Sequence, residues 1–228
     1  MIKRLLLVTL LFCSVSFTQA QSLRIGAEGA FNSTWLFCKT VSDQGSQLDY
    51  KPTWDGQYGI SGLYTFKDVA GIEFGILSGH VNQKYTNRII VGNVTLKTYE
   101  TEAKVSYIDI PLMYRYTSQS GPYFEVGPQF SFLSGYKYTN DLNGASSTDT
   151  KNVNSINISL QIGFGYDVKL DDKWTILMGL RFGYGLTDAG KKPSGAQNYE
   201  ATNSAVGGLR FGVAYNIFGG EGSNAKRK

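Results

Sequence analysis

One stretch decides the fold class: Ile156-Asn-Ile-Ser-Leu-Gln-Ile-Gly-Phe-Gly-Tyr-Asp-Val168. Every even-numbered residue in it is apolar, and every odd-numbered residue is polar or glycine. Because side chains alternate across a β-strand, this pattern predicts a strand with one apolar face and one polar face. The stretch is also longer than the usual globular strand of about five or six residues. The remaining segments indicate what each face contacts.

Seven other segments show the same alternation, and the connections between strands alternate between long polar stretches and short turns. Such a pattern is typical of an all-β, antiparallel up-and-down barrel with eight strands, short turns at one rim and long loops at the other. The other predicted strands are Leu23–Phe31, Tyr58–Phe66, Gly71–Tyr85, Ser106–Tyr116, Phe124–Phe132, Trp174–Leu186 and Leu209–Ile217, and the long connections are Asn32–Trp54, Thr86–Tyr99, Lys137–Val153 and Asp188–Asn203. Asn32–Trp54 is either a long loop or an extension of the strands beyond the apolar zone.

Two details refine these predicted strands. Val91-Gly92-Asn93-Val94 is a candidate hairpin tip, which would let the strands on either side of it run well past a membrane. Pro111 stands inside a predicted strand, where proline removes a ladder donor. We therefore expect a local bulge or a missing hydrogen bond at Pro111.

The N-terminus has the pattern of a secretory signal peptide. Met1-Ile-Lys-Arg4 is basic, Leu5–Phe17 is apolar, and Thr18 and Ala20 are the small residues that precede a cleavage site. The alternative is a buried N-terminal helix or an anchor, but the apolar run is shorter than the ~20 residues of a membrane span. The sequence thus predicts a cleaved signal peptide at 1–20, a barrel at 21–218 and a disordered polar tail at 219–228.

Composition excludes several functional classes. Removal of Lys3 and Arg4 from the 22 basic residues leaves 20 against 18 acidic residues, so no basic field favours nucleic acid. Cys38 is the single cysteine after cleavage, which excludes an internal disulfide. With one cysteine and one histidine, the sequence contains no set of ligands typical of a transition-metal site, and no cofactor is predicted.

The polar faces of the predicted strands carry four arginines and five carboxylates, whose charges nearly cancel. Near-neutrality suits a narrow lumen in which the charges pair, because an unpaired charge there would cost several kcal/mol. The network could line a conduction path or could pack a small closed barrel, and we expect Asp167 to pair with Arg181. Its members are Arg24, Glu28, Glu73, Asp109, Arg115, Glu125, Asp167, Arg181 and Arg210.

Aromatic residues on the apolar faces cluster at the two ends of the predicted strands, as they do at membrane interfaces. Tyr114, Tyr166 and Trp174 lie beside short turns, and Phe31 and Tyr184 lie at the opposite ends. A soluble lipocalin-type cup is the alternative. The two belts favour an eight-stranded antiparallel up-and-down transmembrane β-barrel with short periplasmic turns and long extracellular loops, located in the cell outer membrane.

A family resemblance rests on Tyr107-Ile-Asp-Ile-Pro-Leu-Met-Tyr-Arg-Tyr116, Gly121-Pro-Tyr-Phe-Glu-Val-Gly127 and the Gly163-Phe-Gly-Tyr166 strand. These segments resemble the outer-membrane β-barrel proteins common in Bacteroidetes, a porin-like family that includes PorT-type proteins. The resemblance covers residues 21–218 and implies tolerance of Pro111. One departure is the end of the last strand, where Ile217 is in phase with the lipid-facing residues and Phe218 is not.

Few residues suggest chemistry. His80 has no recognisable serine or acid spacing around it and is interpreted as a rim residue rather than a catalytic base. Asp171 and Asp172 are interpreted as turn formers, and Cys38 as an incidental thiol. The first long loop is our candidate contact surface, with packing over the barrel mouth as the alternative; its aromatic residues are Trp35, Phe37, Tyr50 and Trp54, beside Leu36.

The sequence thus predicts a non-enzymatic outer-membrane barrel with a structural or interaction role. The expected partners are outer-membrane lipid, the barrel-assembly machinery during insertion and other envelope proteins, but not nucleic acid. The alternatives are a component of envelope protein secretion, as the PorT-type resemblance implies, a narrow passive pore, or a soluble ligand-binding barrel. The face assignment predicts that Leu160→Arg blocks assembly and that Gln161→Arg is milder.

Overall fold

The computed structural model describes residues 22–44, 47–67, 69–92, 94–192 and 199–219. The predicted signal peptide, and the predicted tail beyond Gly219, lie outside these residues. No helix in the described ranges is long and apolar enough to span a membrane.

Eight long antiparallel strands close into a ring, which confirms the predicted fold class. The order around the ring is β1-β3-β4-β5-β6-β8-β9-β10, and β10 pairs with β1 to complete it. Two short strands, β2 and β7, and a four-residue helix, α1, lie in the long connections. The elements are β1 Ser22–Cys38, α1 Lys39–Ser42, β2 Leu48–Lys51, β3 Thr53–Lys67, β4 Ala70–Val91, β5 Val94–Thr117, β6 Pro122–Asn140, β7 Ala145–Ser147, a 3-10 turn Thr150–Asn152, β8 Ile156–Lys169, β9 Trp174–Gly185 and β10 Thr202–Phe218.

The alternation seen in the sequence sorts side chains between the lumen and the outer surface. In β8, Leu160 and Phe164 are 43% and 46% exposed on the outside, whereas Asn157 and Gln161 are buried inside. The predicted belts also face outward, as Tyr184 and Tyr166 illustrate. An apolar exterior around a polar interior is the arrangement of a membrane barrel and the reverse of a soluble cup.

One end of the ring, the short-turn end, has tight connections. The Asp171 carboxylate accepts hydrogen bonds from the backbone N–H groups of Trp174 and Lys173, both at 2.7 Å. These two bonds hold the pKa of Asp171 below its ordinary value. The interpretation of Asp171 as a turn former is confirmed.

The opposite end, the long-loop end, follows the second of the two interpretations of Asn32–Trp54. This segment extends the barrel strands beyond the apolar zone, because β1 continues to Cys38 and β3 begins at Thr53. The pattern of alternate burial persists there, and Thr34 is fully buried with its hydroxyl 3.2 Å from that of Thr53. The contrast between the faces is lost, however, because polar Ser33 takes an outward position and apolar Leu36 an inward one. The strand β6 likewise extends to Asn140, past the predicted boundary at Lys137.

Strands β4 and β5 form the longest hairpin, with 22 and 24 residues. They pair up to Val91 and Val94, which confirms the predicted hairpin tip. Near Pro111 the pairing skips from Phe74–Leu112 to Leu77–Asp109 with no change of register. The expected missing bond is therefore confirmed, and the strand passes without a bulge.

A seam opens beside this hairpin, because β3 pairs with β4 only as far as Tyr58–Ser78 and β2 pairs with β4 only from Lys84 onward. Side chains bridge the seam. The Asn82 carbonyl accepts hydrogen bonds from the hydroxyls of Thr34 and Thr53, at 3.0 and 2.8 Å. These bonds replace missing ladder bonds and join β1, β3 and β4 at the barrel mouth.

The core lies inside the ring and is layered. Charged residues fill the barrel towards the short-turn end, and an apolar cluster closes it at the long-loop end. The cluster is drawn from β1, β4, β5 and two long connections. Its buried members are Leu36, Val81, Val105, Tyr107, Val153 and Ala189.

Candidate functional site: the filled lumen and the hairpin extension

Glu73 on β4 is the centre of the luminal charge network. Its carboxylate oxygens lie 2.7 Å from Arg115, 2.7 Å from Arg181 and 2.5 Å from Arg210. All four side chains are nearly inaccessible to solvent. Three arginines from three different strands thus converge on one carboxylate, which ties distant parts of the ring together.

Glu125 on β6 is a second acceptor in the same layer. It lies 2.6 Å from Arg181 and 3.3 Å from Arg210. Arg210 also contacts Glu28 on the neighbouring strand β1. Each buried charge in this layer therefore has more than one partner of opposite sign, which offsets the cost of its desolvation.

Asp167 does not pair with Arg181, so that prediction was wrong. The register of β8 with β9 places Arg181 opposite Gly163 and places Asp167 opposite Leu177. Asp167 instead lies 2.5 Å from both Arg24 and Arg115. The pairing follows from register, since Arg181 stands several residues up the barrel from Asp167.

Small residues make room for the network. A Cβ atom on Gly163 would lie 2.4 Å from Oε1 of Glu125, and one on Gly179 would lie 2.2 Å from the Tyr123 hydroxyl. The Tyr123 ring in turn lies under the Arg115 guanidinium, 3.5 Å from its centroid, in a cation–π contact. The sequence analysis missed Tyr123, although its odd number places it on the inner face beside Phe124.

Asp109 is the one predicted member of the network that has no arginine within ion-pairing distance among the described residues. Its carboxylate accepts a 2.6 Å hydrogen bond from the Gln57 amide. Both residues line a polar chamber of about 40 Å³ between the charged layer and the apolar cluster. A chamber of this size holds a few water molecules. The other eight predicted charges are brought together.

His80 lies at the rim, as predicted from the sequence. Its Nδ1 atom is 3.3 Å from the Asp55 carboxylate, which also binds Lys104 at 2.9 Å and Asn82 at 2.6 Å. These contacts connect β3 with β4 and β5 across the seam. Within the described residues, no group of three or more histidine, cysteine, aspartate or glutamate side chains could hold a metal ion.

The aromatic residues of the predicted contact loop divide into two groups. Trp54 stacks on Phe31 at 5.3 Å and so extends the aromatic belt at the long-loop end. Phe37 stacks on Trp35 at 5.9 Å and contacts Tyr50 at 5.8 Å. These ring contacts join β1 to β2 and to β3, while Trp54 and Phe37 remain 59% and 41% exposed.

Tyr50 fastens the end of β1. Its hydroxyl donates to the Cys38 carbonyl at 3.0 Å and accepts from the Cys38 N–H at 3.1 Å. Its ring meets that of Tyr85 at 5.6 Å, and burial raises the pKa of Tyr85 above its ordinary value. The thiol of Cys38 faces the Glu200 carbonyl at 3.8 Å.

Four aliphatic residues, whose exposure the sequence analysis did not predict, remain uncovered. They lie at the tip of the β4–β5 hairpin, where the described chain provides nothing to pack on them. The signal available in the sequence was their alternation on either side of Gly92. They are Ile89, Val91, Val94 and Leu96, which are 40–63% exposed.

Comparison with known proteins identifies a family. Residues 19–190 match the family described as outer membrane protein beta-barrel domain. No curated protein sequence matches the chain.

Among solved structures, Neisserial surface protein A is 17% identical with a TM-score of 0.45, over 86% of this chain and 99% of that one. OprG from Pseudomonas aeruginosa is 15% identical with a TM-score of 0.42, over 90% and 99%. Ail from Yersinia pestis is 11% identical with a TM-score of 0.41, over 85% and 98%. Likeness at this level carries no functional argument.

Proposed function

Because the chain belongs to the outer membrane protein beta-barrel domain family, we propose that it is a closed outer-membrane barrel that presents a rigid extension for contact with other molecules. The observation that carries the closed state is the set of ion pairs across the lumen. Arg181 on β9 reaches Glu73 on β4 and Glu125 on β6, so charged side chains fill the cross-section. An eight-stranded barrel has just enough interior for such side chains.

The extension supports the second half of the proposal. Beyond the barrel, β4 and β5 continue as a paired ribbon, which β2 and β6 flank and which ends in exposed aliphatic residues. Outer-membrane barrels place short turns in the periplasm and long connections outside the cell. The long-loop end therefore faces the exterior in this proposal.

Planar-bilayer recording of the purified, refolded protein tests the closed lumen. We expect no stable current steps from the wild-type chain, while a general porin reconstituted in the same bilayers shows that the assay detects open barrels. Stable, ion-selective steps from the wild-type protein would overturn the closed state and favour a passive pore. Heat-modifiable mobility on SDS gels checks that the sample is a folded barrel.

Three finer features belong to the same proposal. The chain has no enzymatic activity, consistent with the lack of a serine, histidine and acid arrangement in its sequence.

Residues 1–20 are a signal peptide cleaved after Ala20, and the intact mass of protein purified from outer membranes tests this. Its partners during assembly are membrane lipid and the barrel-assembly machinery, and a strain depleted of that machinery should accumulate unfolded chain.

A role in envelope protein secretion is a second candidate. It is favoured by the resemblance of the strand from Tyr107 to Tyr116 to PorT-type proteins of Bacteroidetes. Copurification of the tagged chain with secretion subunits, and loss of secretion on its deletion, would support this role. Normal secretion in the deletion strain would exclude it.

A further inference from the structure

We infer that the inner face of the β4–β5 extension is a docking surface for a partner protein whose contacting segment is apolar and carries a carboxylate to meet Lys97. This inference rests on the proposed function, because it names the kind of partner that the extension contacts. The inner face is the side of the ribbon that continues the luminal face of the barrel. It includes Tyr85, Asn87, Ile89, Val91, Val94, Lys97 and Tyr99.

The register of the hairpin places these residues on one side. Asn87 pairs with Tyr99, Ile89 with Lys97, and Val91 with Val94. Residues that face each other across two antiparallel strands project from the same side, as do residues two apart along a strand. The Asn87 amide and the Thr101 hydroxyl confirm this, since they hydrogen-bond at 3.1 Å. A register shift between Ile89 and Ile90 leaves Leu96 unpaired beside Lys97.

The outer face of the ribbon has the opposite character. Its charges are paired between strands: Arg88 with Asp49 at 2.5 Å, Lys84 with Glu102 at 3.7 Å, and Lys51 with Glu100. Such a charged face is stable in contact with water and does not require a binding partner. The inner face offers aliphatic and tyrosine side chains with one charge, a composition typical of the core of a protein–protein interface.

The membrane of the barrel itself is too distant to cover the tip. Ser78 pairs with Tyr58, which lies in the aromatic belt at the long-loop end, and Val91 lies thirteen residues farther along β4. At ~3.3 Å per residue and a tilt of ~40°, the tip stands roughly 30 Å above that belt. Nor does the tip suit insertion into another bilayer, since the paired aliphatic residues Val91 and Val94 lie on one face of the ribbon, while the other face carries paired charges.

Charge distinguishes a different protein from a second copy. Lys97 forms no ion pair in the part of the chain that the structure describes, and residues 87–99 contain no acidic side chain. Two copies that met through this face would bring Lys97 against a surface with no carboxylate. Like charges in an interface cost several kcal/mol, which disfavours self-association. A partner with an acidic residue among apolar ones is complementary.

Photo-crosslinking in intact cells tests the inference on the full chain. The substitution Val91→p-benzoyl-phenylalanine places the crosslinker on the inner face. Thr98→p-benzoyl-phenylalanine places it on the outer face, opposite Arg88. We expect an adduct of defined mass from position 91 and not from position 98. Mass spectrometry should map the partner's crosslinked segment to a run of apolar residues with an aspartate or glutamate.

Charge reversal provides the matched control. With the crosslinker at position 91, Lys97→Glu should lower the adduct yield about fivefold, whereas Lys84→Glu on the outer face should leave it unchanged. A dimer of this chain, a partner segment without acidic residues, or equal yields from both faces would overturn the inference. So would the absence of any protein adduct. If the same protein is heat-modifiable and gives no current steps, such a failure leaves the closed outer-membrane barrel intact.

Discussion

Glu73 Oε1 and Arg181 Nη2 lie 2.7 Å apart, although their strands, β4 and β9, stand at opposite positions in the ring of eight. A direct ion pair across the full width of the barrel places charged side chains in the middle of the lumen at that level, which supports the proposed closed state. It also joins β4 and β9, which no ladder of hydrogen bonds connects directly. The same contact therefore fills the lumen and links strands on opposite sides of the ring.

Glu73→Ala should lower the free energy of unfolding by about 3–5 kcal/mol, because three buried arginines lose a shared acceptor. Urea-induced unfolding in detergent micelles, followed by tryptophan fluorescence, measures this. Glu100→Ala removes an exposed carboxylate that binds Lys51, and it should change the free energy by less than about 1 kcal/mol. Equal effects of the two substitutions would show that the buried network contributes no more than a surface pair.

Gly163→Ala should lower stability by about 1–3 kcal/mol through overpacking. The new methyl group would lie 2.7 Å from Cγ of Glu125, whose carboxylate cannot move without breaking its contacts to Arg181 and Arg210. Gly56→Ala is the control, because a Cβ atom there has its nearest neighbour at 4.0 Å. The same unfolding measurement compares them, and a neutral Gly163→Ala would mean that Glu125 is not fixed in place.

The sequence was sufficient for the ring of strands, because period-two alternation of apolar and polar residues is a local property of each strand. It was insufficient where both faces mix polar and apolar residues, as from Asn32 to Cys38, since contrast between the faces is then lost. It also could not pair Asp167 with Arg24 and Arg115, because partners in a lumen depend on register and on the closing of the ring. The exposed tip was missed because exposure there depends on what fails to pack on it.

Leu36→Ala should lower the free energy of unfolding by about 2–5 kcal/mol, because Leu36 is 5% exposed and packs in the apolar cluster. Its neighbour Phe37 is 41% exposed. Loss of its ring contacts in Phe37→Ala should lower the free energy of unfolding by only about 0.5–1.5 kcal/mol. Thermal unfolding, with loss of the fast-migrating band on SDS gels as the readout, separates the two. If Phe37→Ala is as damaging as Leu36→Ala, the aromatic surface near Cys38 is core rather than partly free surface.

Leu160→Arg should destabilise the barrel by about 2–4 kcal/mol and reduce its assembly, because Leu160 faces outward near the middle of β8 and a charge there meets the bilayer interior. Gln161→Arg, on the inner face, tests the assignment of faces and should be milder. Gln161 shares the polar chamber with Arg181 and Arg210, however, so like charges add a cost to that substitution. Leu170→Arg is the cleaner control, since Leu170 is 60% exposed in a short turn, where the cost should fall to about 0–1 kcal/mol. The fraction of heat-modifiable protein in outer membranes reports all three, and equal fractions for Leu160→Arg and Leu170→Arg would contradict a lipid-facing β8.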